Sequence, residues 1–451
     1  VTDPAIAAAV ARSAQVAEVL AAPGALAAAG ALYRRHFGDG AACLVADGNT
    51  WAAAGAEAEV RLAAAGIATH RHILPAAPRP KPSVALGEAL RAVLAEGAVT
   101  PVAIGSGVLN DVVKYAAFRL DRPYLCIATA ASMDGYTSAG APLSERGFKK
   151  TLPCRPARAV LADLDVIAAA PRAMSGWGYG DLAGKLPAGA DWIVADALGI
   201  EAIDTVAWPM VQGPLRGWLD APARIAAGDR DAIAGLFSGL TLVGLAMEAH
   251  GSSRPASGAD HQIAHLWEME DLAQGGERVS HGACVAVGCV TMLALYGWVL
   301  AQDLAGIDPA ALAARAPSLD AKAAAIRAAF GAGEIAERSL RETAGKHLDR
   351  ASLQARLARL KSGWPDLSAR LRAQVLPAAD MARRLHAAGA PAEAGEIGVT
   401  RDHLRRSVRN ARFLRDRYTL LDLLDETGLL QTALDAVLPA DPAAPRQARH
   451  G

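Results

Sequence analysis

The chain has no excess of either charge: 46 Lys and Arg stand against 46 Asp and Glu over 451 residues. That balance argues against nucleic acid or a charged membrane surface as the main partner. Cysteine is sparse. The five thiols, Cys43, Cys126, Cys154, Cys284 and Cys289, are scattered, and none forms a C-x-x-C pair. Their odd number, in a chain of enzyme size, predicts a reducing cytoplasm rather than a disulfide framework. The opening V-T-D-P-A-I-A-A-A-V-A-R-S has no basic start followed by a long apolar core, so no signal peptide is expected. No tandem repeat is visible.

Apolar residues are plentiful, at 52% of the chain, enough for a large core. The length predicts two or three domains. Alanine is abundant and most cations are Arg, which reads as base-composition bias rather than function. One uncharged run, residues 282–301, is about as long as a bilayer-spanning helix. Its glycines and its place directly after His281 predict instead a helix buried between other helices, and no membrane partner is expected.

The first part alternates extended and helical patterns. Residues 43–46 read as a strand ended by Asp47-Gly48-Asn49-Thr50, 51–65 as a helix with Gly66 as C-cap, and 67–74 as extended. A Pro-rich connector covers 75–82. Residues 83–96 and 111–120 read as helices, and 102–104, 124–128 and 159–164 as strands. This alternation predicts an α/β domain with a parallel sheet covered on both faces. Beyond residue 171 clear strands vanish and Ala/Leu/Arg-rich helical patterns take over. We expect an α/β domain over 1–168, an all-α domain over 169–438 and a disordered tail over 439–451.

Three places carry candidate chemistry. Val102 to Asp111 reads strand, glycine turn, helix. Gly105 and Gly107 would let backbone amides approach a diphosphate at a helix N-terminus. Asn110 departs from the usual dinucleotide fingerprint, and a tight turn with no ligand has the same pattern. The loop Thr129 to Ser138 follows a strand, where open α/β sheets bind ligands. Its hydroxyls (Thr129, Ser132, Ser138) suit a nucleotide and Asp134 suits a substrate hydroxyl, although a solvated turn reads the same way. The Lys149-Lys150 pair lies within reach of a phosphate. Finally, His261 and His265 are one helical turn apart and His281 follows after Gly275-Gly276. Asp181 sits between glycines at an apparent helix start, where an N-cap is the ordinary role. With His261 and His281 it would make an open two-nitrogen, one-oxygen metal site of the kind Lewis-acid catalysis requires.

These motifs carry a resemblance. D-G-N-T at Asp47, G-S-G-V-L-N-D at Gly105, T-A-A-S-M-D-G-Y-T-S at Thr129 and G-F-K-K-T at Gly147 follow one another in the first part. G-D-L-A-G-K at Gly180, S-R-P-A-S-G-A-D-H at Ser253, S-H-G at Ser280 and R-Y-T-L-L-D at Arg417 follow in the second. The chain resembles the bacterial and archaeal glycerol-1-phosphate dehydrogenases, within the superfamily of iron-containing alcohol dehydrogenases and dehydroquinate synthase-like enzymes. The resemblance covers residues 43–430. It departs at Ala283-Cys284-Val285 and at Leu186-Pro187-Ala188-Gly189, where archaeal members carry hydroxyls, and this leaves the substrate phosphate's contacts open.

The resemblance implies a role for each residue. Asp47, Gly105, Ser106, Gly107, Val108, Leu109, Thr129, Ser132 and Ser138 would hold NAD or NADP. Asp181, His261 and His281 would hold one divalent metal, Zn²⁺ first, with Fe²⁺ or Ni²⁺ also suited by ligand type. Asp134, Asp181 and His265 would meet the substrate, with Asp181 and His265 catalytic and His265 a proton relay, its ordinary pKa suiting that task. The implied enzyme is a cytoplasmic, homo-oligomeric dehydrogenase of phospholipid biosynthesis. It would interconvert dihydroxyacetone phosphate and sn-glycerol 1-phosphate. A dehydrogenase of glycerol or another polyol phosphate, a dehydroquinate synthase-like lyase and a non-catalytic nucleotide-binding regulator are the alternatives. Asp47 lies too early in the chain and in the wrong setting to serve as the usual ribose-reading acid, and the sequence does not reveal a preference between NAD and NADP.

Overall fold

The computed structural model describes residues 3–439; the tail expected over 439–451 lies outside them except for Pro439. Eight strands occupy the first part: β1 (Glu18–Ala22), β2 (Ala42–Asp47), β3 (Thr69–Leu74), β4 (Thr100–Gly105), β5 (Leu125–Ala128), β6 (Gly140–Glu145), β7 (Phe148–Pro153) and β8 (Ala159–Asp163). Six of them form one sheet in the order β1-β8-β5-β4-β2-β3, with every pair parallel. β5 and β8 are buried along their whole length, as parallel strands covered on both faces must be. β3, at one edge, reads T-H-R-H-I-L and is largely exposed, and its charged side chains discourage pairing with another chain.

The expected α/β architecture is therefore present, with differences in detail. β1 had no sequence signal. Its E-V-L-A-A is short and poor in branched residues, and pairing with β8 rather than local preference makes it a strand. The antiparallel hairpin β6–β7 was likewise unmarked. The helix expected over 51–65 starts as a π-turn at Trp51–Gly55 before Ala56–Ala64, and that expected over 111–120 starts earlier, as α1 (Gly107–Arg119).

The second part is built on helices, of which five shape the site: α2 (Arg172–Ala183), α3 (Lys185–Ala197), α4 (Arg230–His250), α5 (Ala259–Met269) and α6 (His281–Val299). It is not wholly helical. Gly275 and Gly276, both with positive φ, turn a small hairpin between β9 (Ala273–Gln274) and β10 (Glu277–Arg278), where the sequence showed only a break. Between β8 and α2 a short helix spans Leu164–Ala169, and our proposed division at 168/169 falls inside it, near its end. One apolar cluster runs through both parts and joins Val112, Cys126 and Ala128 to Leu182, Leu186 and Leu240.

α4 and α6 are each long and apolar enough to cross a membrane by length and composition, and each is mostly buried within the protein. α6 owes its place to small residues. A Cβ on Gly282 would lie 2.1 Å from the carbonyl oxygen of Trp177, and one on Gly180 would lie 2.6 Å from the carbonyl oxygen of Gly282. α2 and α6 thus touch backbone to backbone. We expect Gly282→Val to force them apart at a cost of about 1–3 kcal/mol or more, seen as a lower melting temperature. Gly235→Ala, in α4 with open space around its Cβ position, should be neutral or slightly stabilising.

Candidate metal and dinucleotide site

The sheet topology opens the cleft. From β2 the chain runs outward to β3, crosses back to β4 and continues through β5 to β8. The direction of winding reverses between β2 and β4, and such a switch point leaves a crevice beyond the strand C-termini. Asp47 ends β2 and Gly105 ends β4, so strand order sets side by side two residues that chain order separates. Asp47 closes a capping box: its Oδ1 accepts from the Thr50 N–H at 2.8 Å and its own N–H reaches Thr50 Oγ1 at 3.0 Å. A cleft of about 1370 Å³ extends from here into the helical part.

Of the residues implied for the dinucleotide, Asp47, Ser106, Gly107, Val108, Leu109, Thr129, Ser132 and Ser138 line this cleft. Gly105 does not. It lies under the turn, where a Cβ would meet Leu109 at 2.4 Å. Ser106 is the N-cap of α1, yet its hydroxyl makes no capping bond, and the first turn holds no acidic residue. The first-turn amides are therefore left for an anion, and this fits a pyrophosphate. The polar loop is tethered from below by Lys114, fully buried on α1, which donates to the carbonyls of Gly135 (2.8 Å) and Gly140 (2.9 Å) and lies 3.2 Å from Ser138 Oγ. Ser138 itself donates to Gly135, so its hydroxyl is already engaged within the loop.

At the helical end of the cleft, Asp181, His261 and His281 offer ligand atoms that lie within 4.8 Å of one another. They come from α2, α5 and the first residue of α6. Asp181 is not the helix start the sequence suggested. It lies in the last turn of α2, because the glycines around it serve close helix contact rather than a break. It is fully buried and does not line the cleft. Its Oδ2 accepts from the Asp134 N–H at 3.1 Å, and its Oδ1 lies 2.7 Å from Lys185 Nζ and 3.4 Å from His261 Nε2. Burial alone would raise its pKa, but the Lys185 charge and the two histidines hold it well below the ordinary value.

His261 is oriented by its neighbour in sequence. Its Nδ1 meets Asp260 Oδ2 at 2.7 Å, and this leaves Nε2 as the nitrogen that could hold a metal. Burial works to lower its pKa, yet the Asp260 carboxylate raises it to about 9. His281 has a similar support: its Nδ1 lies 3.2 Å from Glu268 Oε1. A carboxylate behind each imidazole is the usual arrangement around a bound metal, and the donor set fits a divalent ion. Glu268 Oε2 in turn meets Lys149 Nζ at 2.7 Å, which ties β7 to α5.

His265 lies outside the Asp181 group. It lines the cleft, stacks on His281 with ring centroids 5.6 Å apart, and with Glu268 and His281 makes a second possible ligand set. Burial and then the Lys149 charge hold its pKa well below the usual histidine value. The ordinary pKa expected to suit a proton relay is therefore not the one this pocket gives it. Asp134 lines the cleft and its Oδ2 meets Lys185 Nζ at 2.7 Å. Sequence reasoning missed Lys185, Asp260 and Glu268, although Asp181–Lys185 is an i,i+4 pair and Glu268 shares the His261–His265 face at i+7.

Comparison with known proteins accords with this geometry. The iron-containing alcohol dehydrogenase family matches residues 20–171. Over 393 residues the chain is 31% identical to the glycerol-1-phosphate dehydrogenase [NAD(P)+] of Bacillus velezensis, with 86% of each chain covered. It is 33% identical over 330 residues to that of Bacillus subtilis, covering 73% of this chain and 70% of the relative. The chain belongs to the glycerol-1-phosphate dehydrogenase family. Among solved structures, a probable glycerol dehydrogenase from Sinorhizobium meliloti superposes with a TM-score of 0.59 at 16% identity, covering 93% and 97% of the two chains. Maleylacetate reductase from Agrobacterium tumefaciens gives 0.57 at 20%, covering 94% and 98%. At such identities these two share the fold.

In this family member, Asp260→Asn should weaken retention of a divalent metal by about 10–100-fold, measured by competition with a chelator. His261→Ala should abolish retention while leaving NADH binding, followed by fluorescence titration, largely intact.

Proposed function

We propose that the protein is a metal-dependent, NAD(P)-linked dehydrogenase that interconverts dihydroxyacetone phosphate and sn-glycerol 1-phosphate. The observation that carries this reading is the cleft itself. A glycine-turn helix start, at one end, and His261 and His281, at the other, line one continuous space, with Asp181 buried directly behind the two imidazoles. Its relatives in the two Bacillus species carry the same activity in their names. When bound, the nicotinamide supplies hydride and a divalent ion, Zn²⁺ or another of similar ligand taste, supplies positive charge for a developing alkoxide.

The chain's own residues do the rest. Asp181 and the Nε2 of His261 hold the ion with His281, and Asp260 and Glu268 fix the two imidazole planes. Asp134, anchored by Lys185, faces the cleft as acceptor for a substrate hydroxyl. His265, whose pKa burial holds well below the usual histidine value, lines the cleft as a hydrogen-bond partner for the reacting oxygen. Lys149, poised on Glu268, is the cation suited to a substrate phosphate. Asp47, at the end of the strand beside the glycine turn, suits the adenosine ribose and disfavours a 2′-phosphate, which favours NAD. We assign the enzyme to the cytoplasm and expect self-association.

The deciding measurement is NADH oxidation with dihydroxyacetone phosphate, repeated after chelation and after return of Zn²⁺ or Ni²⁺. We expect activity lost on chelation and restored by metal, with sn-glycerol 1-phosphate preferred over glycerol 3-phosphate and glycerol in the reverse direction. Turnover untouched by chelation would refute the Lewis-acid role, and a preference for glycerol would reassign the substrate. Asp47→Gly should raise kcat/KM for NADPH relative to NADH by about tenfold, one like-charge contact removed.

A further inference from the structure

The first residue of α3, Lys185, is a fully buried ammonium in the middle of the metal-ligand group. Three distances define it: 2.7 Å to Asp181 Oδ1, 2.7 Å to Asp134 Oδ2 and 3.5 Å to His261 Nε2. The other Asp181 oxygen is occupied by the Asp134 N–H, so Oδ1 is the oxygen left for a metal, and it is the one the ammonium holds. Lys185 therefore sits on two donor atoms that a divalent ion would take. It cannot escape to water. A second counter-charge, Asp134, meets the same ammonium.

We propose that Lys185 is a built-in cation of this centre, which competes with a divalent ion for Asp181 and is drawn off it by Asp134. The inference rests on the reading of Asp181, His261 and His281 as metal ligands. Without metal, the ammonium keeps the buried Asp181 and the half-buried Asp134 compensated and the site assembled, since a buried carboxylate left alone is strongly destabilising. When the ion enters, like charges repel and the ammonium leans on Asp134. That movement also fixes Asp134 in the cleft for substrate. Lys185 is thus a positioning residue that sets metal affinity, and Asp134 tunes that affinity without touching the ion.

The consequence is a pair of effects with opposite sign, which a purely structural role does not produce. Lys185→Met removes the competitor, and Asp134→Asn leaves the ammonium with Asp181 as its only full counter-charge. Zn²⁺ affinity is measured on stripped protein by competition with a chromophoric chelator, with melting curves taken with and without Zn²⁺. We expect Lys185→Met to bind Zn²⁺ at least about tenfold more tightly than the original chain, to melt lower without metal, and to gain more from added Zn²⁺. Asp134→Asn should bind about tenfold more weakly, in the range reported for groups that support ligands. Lys185→Arg, which keeps the charge, should stay near the original affinity. If Lys185→Met folds only with Zn²⁺ present, the rate at which it yields Zn²⁺ to chelator takes the place of affinity: slower release supports the proposal and faster release overturns it. Equal or weaker binding by Lys185→Met, or undiminished binding by Asp134→Asn, overturns it while leaving the metal reading intact. An original chain that takes up no Zn²⁺ overturns both.

Discussion

The backbone contact between α2 and α6 is the constraint on which the site depends. Asp181 and His281 lie a hundred residues apart and neither reaches far. An aspartate has one methylene, and His281 leaves α6 from its first position. They meet because Gly180 and Gly282 carry no side chains to hold the helices at ordinary spacing. The same device recurs on the third side. A Cβ on Gly184 would lie 2.5 Å from Asp260 Oδ2, and one on Gly288 would lie 2.6 Å from the Asp260 carbonyl oxygen. Small residues thus set the distances, and polar residues then fill the space with charge-assisted contacts.

That set is electrostatically economical. Asp181, Asp134 and Asp260 are three carboxylates in or beside an apolar helical core, and each has a specific partner: Lys185 for the first two, His261 for the third. Charges in such surroundings are tolerated when paired and hydrogen-bonded. The outer carboxylate, Glu268, extends the chain of contacts to Lys149 on β7, so His281 at the start of α6 is linked to the sheet-bearing part.

Much of the plan was legible in the sequence. Strong, continuous apolar runs such as L-C-I-A and A-V-L-A-D announced the central strands, because parallel strands are buried on both faces. Asp181, His261 and His281 came from motifs and from resemblance, and the structure brings them together. What stayed hidden was whatever depends on partners distant in sequence. β1 becomes a strand through β8, and the side-by-side setting of Asp47 and Gly105 follows from strand order. The depressed pKa of His265 follows from burial and from Lys149, more than a hundred residues away. Only Lys185, Asp260 and Glu268 could have been found locally, from helical spacing to residues already singled out.

The apolar cluster that joins the sheet to the helical part has a bearing on how ligands come and go. Swinging the two parts widely apart would expose that cluster to water, so exchange is better served by small segments at the rim. Two of them face each other there: the Pro-rich stretch bearing Lys81 and the turn after α5 bearing Asp271, which form an ion pair. A dinucleotide entering this protein passes a rim where Asp271 meets both Lys81 and Arg278.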